Sequence, residues 1–275
     1  MQDLALKAEN LLKKLISIKS FSFNEDKTAD YIENWFANNG ISSSRSVNNV
    51  YALNKNFDPK KPNLLLNSHH DTVEPNSGYT NDPFKPILKD GKLFGLGSND
   101  AGISLVCLII VFLHFNNRDD LNFNIIILAS AEEEKSGDHG IKSVMPLLPK
   151  IDLAIIGEPT KMDVAIAEKG LIVFDLIVKG ESTHAAHQNN NNPIIKSSNI
   201  INKLSNFSFP KKSKLLGNVK LTVTQINAGV QHNVVPSEVK IVLDVRVNDR
   251  YTNQEIFNFL KNNLDCEVIP RNLNL

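Results

Sequence analysis

Residues 63–71, Asn-Leu-Leu-Leu-Asn-Ser-His-His-Asp, join a short apolar run to a His-x-Asp pair at its end. Two further short apolar runs follow at residues 125–129 and 153–156. Such short, nearly continuous apolar runs are typical of strands that are buried on both faces of an α/β sheet. An α/β sheet of this kind binds its ligands at the carboxyl ends of its strands. The sequence therefore predicts an α/β fold with a functional site at those ends.

Side chains that can bind metals occur in the loops after the predicted strands, in the order His69, Asp71, Asp100, Glu133, Glu134 and Glu158. A set that mixes imidazole nitrogen with carboxylate oxygen favours zinc, because magnesium and calcium sites are built from oxygen ligands. A two-metal site needs one carboxylate that reaches both ions, which lie about 3.5–4 Å apart. Asp100 is the candidate for this bridge, and the pattern indicates a two-metal hydrolase.

Each of these motifs also has a simpler interpretation. Alternation along an extended segment places His69 beside Asp71, which can orient its ring, and turns His70 to the other side. A different register would use His70 instead. Residues 132–134, Glu-Glu-Glu, are on their own typical of a solvated loop, and Glu158 is typical of a turn. Because the acidic run ends a predicted buried strand, we expect one glutamate to bind metal and its neighbour to transfer a proton.

Helical periodicity predicts packing helices at the start of the chain. Residues 4–18 place leucine and isoleucine on one stripe, and Ser22-Phe-Asn-Glu25 matches a capping box that would open a second helix ending at Gly40. The pair Asp90-Gly91 predicts a hairpin turn. Residues 101–115 predict a buried helix, which contains one of the two cysteines and would hold the candidate bridging aspartate at its start.

The pattern of elements changes near Glu168. From there the sequence predicts strand, helix, strand, strand, helix and strand, over residues 171–179, 193–204, 219–227, 239–247, 253–264 and 266–269. This β-α-β-β-α-β order is that of the split βαβ sandwich, a compact domain with its own core. Its other sheet face could pair with a second copy of the chain.

The composition narrows the class of partner. The 275 residues carry 30 basic and 30 acidic side chains, and no basic block alternates with aromatics, which argues against nucleic acid and anionic membranes as partners. The apolar run at residues 103–115 is too short to span a bilayer, and the first residues lack a secretory leader. Cys107 and Cys266 lack a local partner motif. We therefore expect a cytoplasmic protein with reduced thiols and a small-molecule substrate.

Five stretches carry motifs that are specific in combination: residues 67–73, 82–84, 95–100, 133–134 and 157–160. Together they resemble the dizinc amidohydrolases that include acetylornithine deacetylase, succinyldiaminopimelate desuccinylase, aminoacylase and carboxypeptidase G. The resemblance implies a zinc-exopeptidase-like α/β/α catalytic domain with an inserted ferredoxin-like lid and dimerisation domain. It implies residues 1–168 as catalytic, 169–270 as the lid, and 271–275 as a stub of the return to the catalytic domain. Residues 98–102, 167–170 and 231–236 resemble most the Bacteroidetes-type enzymes assigned to N-acetyl- or N-succinyl-citrulline.

The resemblance also implies residue roles. His69, Asp100 and Glu158 would bind one zinc, and Asp100 and Glu134 the other, with cobalt as a possible substitute for zinc. Glu133 would be the general base, and Asp71 would lie behind His69.

The lid residues have roles by resemblance alone. His184, in Thr183-His184-Ala185, matches a histidine that enters the partner subunit's site in a homodimer and stabilises the oxyanion. Arg246 matches the residue that binds the substrate carboxylate, with Asn233 as a polar contact. Without the resemblance, His184 is an ordinary surface histidine and Arg246 a surface charge.

The chain departs from the family pattern at its end. The related enzymes return from the lid into the catalytic domain with a segment that supplies a histidine for the second zinc, and the expectation here is that this C-terminal catalytic segment is absent. The leading expectation is deacylation of N-acetylornithine or N-acetyl/succinyl-citrulline in arginine biosynthesis. The alternatives are succinyldiaminopimelate desuccinylase, a dipeptidase, or a truncated remnant without catalysis.

Overall fold

The protein consists of two compact units that divide between Asp163 and Val164. The structure, a computed structural model, describes residues 2–273. Residues 274–275, the end of the stub expected from the resemblance, lie outside the described residues. Each unit has its own core and is described by itself.

The first unit contains helices and strands in this chain order: α1 (Gln2–Ile16), α2 (Asp26–Asn38), β1 (Ser44–Ser46), β2 (Asn49–Leu53), β3 (Asn63–His69), β4 (Ile87–Lys89), β5 (Lys92–Phe94), α3 (Ile103–Phe115), β6 (Asn124–Ser130), α4 (Ile141–Val144) and β7 (Leu153–Ile156). Five of the strands form one sheet in the order β1-β2-β6-β3-β7. β3 runs parallel to β6 and to β7, whereas β2 is antiparallel to β6. β4 and β5 form the hairpin predicted at Asp90-Gly91.

Helices cover the sheet of the first unit on both faces. α1, α2 and α3 pack on one face, where Phe36, Leu105 and Ile127 are fully buried. On the other face, Val144 of α4 packs with Ile126 and Leu128 of β6. The alternating residues of β6 thus serve two cores, and this explains why its sequence is apolar throughout. The predicted α/β fold class is confirmed.

The predicted capping box at Ser22–Glu25 is wrong. α2 begins at Asp26, and its N-cap residue Glu25 makes no capping hydrogen bond with its side chain. The Ser22 hydroxyl donates instead to Asp71 Oδ2 at 2.7 Å, and the Glu25 carboxylate accepts from the backbone N–H of Glu132 at 3.2 Å. Both side chains have partners far away in sequence, so the local pattern did not indicate their function.

α3 is shorter and less buried than predicted. It begins at Ile103 rather than at residue 101, after a wide turn at Ser98–Gly102. Cys107, expected inside a buried helix, is exposed, because α3 buries only one side against the sheet.

The stretch Ser98–Phe115 is long and apolar enough to cross a membrane, judged by length and composition within the described residues. The expectation from the sequence, which excludes a membrane span, considers only the shorter run at residues 103–115. Leu105, Ile109 and Phe112 of this stretch are fully buried in the first unit's core. Packing against the sheet therefore accounts for the buried third of this stretch.

β7 also differs from its prediction, because it is exposed rather than buried on both faces. Leu153 is 64% exposed and Ile156 is 51% exposed. Among the residues that the structure describes, β7 pairs with β3 alone and lies at the edge of the sheet.

The second unit contains helices and strands in this chain order: β8 (Gly170–Lys179), β9 (Thr183–His184), α5 (Pro193–Asn206), β10 (Lys220–Ala228), β11 (Val234–Val235), β12 (Glu238–Val247), α6 (Asn253–Asn263) and β13 (Glu267–Pro270). An antiparallel sheet in the order β10-β12-β8-β13 packs against α5 and α6. The alternating residues Val239, Ile241, Leu243 and Val245 of β12 are fully buried. The predicted β-α-β-β-α-β order is confirmed, with the short β9–β11 ribbon in addition.

We expect Leu243→Ala to destabilise the second unit strongly. Leu243 is fully buried, and removing a buried leucine side chain costs about 2–5 kcal/mol in the free energy of unfolding. The matched control is Leu215→Ala in the same unit, where the side chain is 61% exposed and the expected change is within about 0.5 kcal/mol. Urea unfolding followed by circular dichroism measures both, and equal effects would contradict the placement of this core.

Candidate metal centre

The carboxyl ends of β3, β6 and β7 lie at the same edge of the first unit's sheet. His69, the last residue of β3, is opposite Ser130 at the end of β6. Asn67 of β3 is opposite Ile156 at the end of β7. The loops that leave β6 and β7 therefore start beside His69, and both loops carry acidic residues.

The imidazole of His69 is the centre of this edge. His69 is 1% exposed, and its Nδ1 donates to the backbone oxygen of Asp71 at 2.9 Å. Nε2 then points towards three carboxylates, at 3.2 Å from Asp100 Oδ1 and 3.9 Å from both Glu133 Oε2 and Glu158 Oε1. A hydrogen on Nδ1 is the arrangement that a histidine needs in order to bind a metal through Nε2.

The carboxylate of Asp71 connects His69 to the acidic loop. Asp71 is 1% exposed. Its Oδ1 accepts the backbone N–H of Glu133 at 3.1 Å, and its Oδ2 accepts the N–H of Glu134 at 3.2 Å and the hydroxyl of Ser22 at 2.7 Å. Burial raises the pKa of Asp71, but hydrogen bonds from His69 and Ser22 outweigh burial and lower the pKa below its usual value. Asp71 is therefore a charged group that orients its neighbours.

Asp100 reaches the site from the wide turn before α3. Its backbone is extended, with φ −119° and ψ 100°. Gly97, at φ 69°, begins the turn and accepts the N–H of Gly102 at 2.9 Å. A Cβ on Gly97 would lie 2.5 Å from the Thr72 methyl group, so a larger residue does not fit beside the end of β3. The turn thus brings the Asp100 carboxylate against His69.

The backbone at the acidic run separates its three side chains. Glu132 has a left-handed φ of 57° and is 5% exposed, and its carboxylate accepts the N–H of His139 at 2.9 Å. A Cβ on Gly137 would overlap that carboxylate, which explains why a glycine follows the run. Glu132 is thereby turned into the protein interior, whereas Glu133 and Glu134 lie on the side of His69.

The crowded carboxylates shift each other's pKa. Ligand atoms of His69, Asp100 and Glu134 lie within 4.8 Å of one another. Burial and neighbouring carboxylates raise the pKa of Glu158 to about 7, and they also raise the pKa of Glu134. Burial lowers the pKa of His69, but Asp71 and the surrounding carboxylates raise it overall to about 10. A bound cation would relieve this repulsion, and the mixed nitrogen and oxygen donors fit a divalent transition metal.

His70 is held away from these carboxylates. Its Nε2 donates to the backbone oxygen of Asn48 at 2.9 Å, and its Nδ1 lies 2.9 Å from the Thr28 hydroxyl. Both ring nitrogens therefore have partners in the core, and the structure places His69 at the candidate site.

The remaining predicted site residues belong to the second unit. His184 lies in the β9–β11 ribbon, and the backbone oxygen of Asn233 accepts the N–H of Ala185 at 2.9 Å. Arg246 lies near the end of β12 and donates to both carboxylate oxygens of Asp244, at 3.0 and 3.2 Å. The ribbon brings His184 and Asn233 together, and the roles of all three residues stay predictions.

Two polar residues that hold the site were missed as site residues. Ser22 contacts the Asp71 carboxylate, and Glu25 contacts the backbone of Glu132. The spacing of Ser22 and Glu25 is visible in the sequence, but there it predicts a helix end. A local pattern carries no information about a partner in a distant loop.

Comparisons with known proteins identify related chains. Residues 166–270 match the M20 peptidase dimerisation domain. The chain is 30% identical over 267 residues to a succinyl-diaminopimelate desuccinylase of Rickettsia bellii, which covers 89% of this chain and 68% of that protein. It is 28% identical over 271 residues to the desuccinylase of Rickettsia felis, covering 90% of this chain and 70% of that protein.

Solved structures share the fold. An M20 family metallo-carboxypeptidase from Sulfolobus solfataricus matches with a TM-score of 0.73 at 19% identity, over 98% of this chain and 78% of that chain. A dinuclear metal-binding M20 peptidase from Bacillus subtilis matches with a TM-score of 0.64 at 16% identity, over 98% and 74%. Fold, site and relatives define a metal-dependent amino-acid acyl hydrolase. The chain belongs to the M20 metallopeptidase family, and the resemblance to dizinc amidohydrolases is confirmed at that level, although these Rickettsia relatives are named desuccinylases rather than acetylornithine deacetylases.

We expect zinc binding to release a proton. The pKa of His69 without a cation is about 10, so the ring is protonated at pH 8, whereas a metal on Nε2 requires the neutral ring. Glu158, with a pKa of about 7, is mostly ionised at pH 8 and adds little. Zinc affinity should therefore rise with pH until the pKa of His69 is passed.

Titration calorimetry at pH 8 in two buffers of different ionisation enthalpy measures this release, which should be about one proton per zinc bound at this histidine. His184→Asn, in the second unit, should leave the release unchanged. Identical binding enthalpies in the two buffers would contradict the assignment of His69.

Proposed function

We propose that this protein hydrolyses the amide bond of an N-acylated amino acid with zinc as its metal, and that succinyl-diaminopimelate is the substrate to test first. The observation that carries the proposal is the convergence of Asp100, Glu133 and Glu158 on one buried imidazole nitrogen of His69. Three acidic loops or turns around one histidine repel each other strongly unless a cation lies among them. Their presence supports a site built for metal ions.

The proposed ligand sets are those that the family resemblance implies, and the closeness of His69, Asp100 and Glu134 supports them. His69 and Glu158 would hold one ion and Glu134 the other, with Asp100 between them as the shared ligand. Zinc held there would polarise the amide carbonyl and would make a water molecule acidic near neutral pH. The backbone oxygen of Asp71 accepts the hydrogen on Nδ1 of His69, which would leave the Nε2 lone pair for the metal.

Glu133 is the proposed general base. Its carboxylate lies 3.9 Å from His69 Nε2 and is about half exposed, so it borders the ligand cluster and remains open to water and substrate. Its backbone N–H is fixed by Asp71. From this position the carboxylate takes a proton from the attacking water and gives it to the nitrogen of the departing amine.

The relatives and the motifs support different acyl amino acids. The Rickettsia relatives are named succinyl-diaminopimelate desuccinylases, and their similarity extends over both units. The second candidate is deacylation of N-acetylornithine or of N-acetyl- or N-succinyl-citrulline, which the stretches at residues 98–102 and 231–236 favour by resemblance. All these substrates carry an α-carboxylate, for which Arg246 is the proposed partner.

Glu133→Gln and Glu134→Gln separate the two proposed roles. Loss of the general base in Glu133→Gln should lower kcat about 10²- to 10⁴-fold and leave the zinc content unchanged. Glu134→Gln should instead lower the zinc content, because it removes a ligand. Plasma mass spectrometry for zinc and steady-state kinetics measure both variants. Loss of zinc in Glu133→Gln, or full activity in that variant, would refute the assignment.

A substrate panel tests the reaction itself. Succinyl-diaminopimelate, N-acetylornithine, N-acetylcitrulline and N-succinylcitrulline are compared by amine release with the zinc-loaded protein. We expect the highest kcat/KM for succinyl-diaminopimelate, and a higher value for an acetyl compound would favour the second candidate. Zinc-loaded protein that hydrolyses none of the four would exclude the proposed function.

We also propose a homodimer formed through the second unit, which contains the peptidase dimerisation domain. Light scattering during size exclusion should give a mass close to twice 30.6 kDa. A monomer would exclude a role for His184 in the site of a second copy.

A further inference from the structure

The loop between α1 and α2 is fastened to the segment that follows β3. Thr72 donates its N–H to the backbone oxygen of Ser20 at 2.7 Å, and Ser22 donates its N–H to the oxygen of Thr72 at 3.3 Å. The Ser20 hydroxyl donates to the backbone oxygen of His70 at 2.8 Å. These bonds hold the loop at a fixed distance from Asp71.

From this position Ser22 reaches the carboxylate that supports the acidic run. Its hydroxyl donates to Asp71 Oδ2 at 2.7 Å, and both residues are buried, at 7% and 1% exposure. The same oxygen accepts the N–H of Glu134, and the other oxygen accepts the N–H of Glu133. Ser22 is thus one contact away from both backbone amides.

The torsion of an aspartate carboxylate about its last bond is broad, so its hydrogen-bond partners decide its orientation. The hydroxyl of Ser22 makes the shortest of the hydrogen bonds to the Asp71 carboxylate, at 2.7 Å against 3.1 and 3.2 Å for the two amides. Without it, a buried charge loses one of its few compensating donors. The carboxylate is then less constrained, and so are the two amides that it holds.

The same loop contacts the first residue of the acidic run. Glu25 is fully buried, and its Oε1 accepts the N–H of Glu132 at 3.2 Å while its Oε2 accepts from the Asn48 side chain at 3.0 Å. The backbone N–H groups of the acidic run therefore donate to two carboxylates. One is that of Glu25 in this loop, and the other is that of Asp71, which Ser22 contacts.

We infer that Ser22 is a positioning residue, which acts through Asp71 to fix the orientation of the proposed base Glu133 and the proposed ligand Glu134. The inference rests on the proposed function for the meaning of those two residues. The physical linkage from Ser22 to the backbone of the acidic run does not depend on metal or substrate, and it can be measured separately.

The first test is hydrogen exchange of the full chain without metal, for Ser22→Ala, Ser22→Thr and Ser20→Ala. Ser20→Ala is the matched control, because Ser20 is an equally buried hydroxyl of the same loop that contacts Thr28 and His70 rather than Asp71. We expect faster deuterium uptake by the peptide covering residues 131–136 in Ser22→Ala, and protection as in the unchanged protein in Ser22→Thr and Ser20→Ala.

The second test measures zinc affinity, with zinc chloride and a competing chromophoric chelator, and then kcat and KM on the best substrate of the panel. Loss of a group that orients a ligand costs about 10- to 100-fold in metal affinity or activity, and this is the loss expected in Ser22→Ala. The loss should appear in kcat more than in KM, and Ser22→Thr should restore it. A merely structural loss would lower the unfolding midpoint of Ser20→Ala and Ser22→Ala alike.

Unchanged exchange at residues 131–136 in Ser22→Ala would overturn the inference whatever the activity. Equal losses of zinc affinity in Ser22→Ala and Ser20→Ala would overturn it as well. Should Ser22→Ala fail to fold, Ser22→Gly replaces it as the variant without a hydroxyl. A protein that shows the exchange effect but hydrolyses no substrate would refute the proposed function and leave the linkage standing.

Discussion

The proposed site depends on the hydrogen bonds that the buried carboxylate of Asp71 accepts. This carboxylate lies directly after β3 and receives hydrogen bonds from the α1–α2 loop and from the loop after β6. A charge at 1% exposure is tolerated only where several donors compensate it. Each of these donors is therefore held in place, and three segments that are distant in sequence become one rigid unit around His69.

A second constraint is the repulsion among the acidic side chains at this edge. β3, β6 and β7 are parallel, so the loops that follow them start at the same edge of the sheet and lie close together. The pKa values of Glu134 and Glu158 are raised as a result, and the pKa of His69 is raised to about 10. The fold thus brings like charges together at this edge, and a divalent cation bound there would reduce their repulsion. The proposed chemistry depends on such a cation.

The second unit follows a different structural rule. Its sheet buries one face under α5 and α6 and so forms a core of its own. Residues 166–270 of this unit match the peptidase dimerisation domain. The proposed roles of His184, Asn233 and Arg246 come from motifs in this unit. Among them, the guanidinium of Arg246 is a group that pairs with a carboxylate through two parallel hydrogen bonds.

Sequence alone determined the features that depend on neighbouring residues. Apolar runs predicted β3 and β6, alternation predicted the buried face of β12, and Asp90-Gly91 predicted a hairpin, because each of these patterns reflects local backbone geometry. The order of His69, Asp100, Glu133 and Glu158 along the chain also predicted which side chains meet, since parallel strands bring their ends together. Tertiary structure decided the rest. Ser22 and Glu25 have the spacing of a capping box, yet Ser22 bonds to a carboxylate 49 residues away, and Cys107 is exposed on a helix that appeared to be buried. The physical reason is that a side chain takes the partner that the folded chain places beside it, and local sequence does not contain that partner.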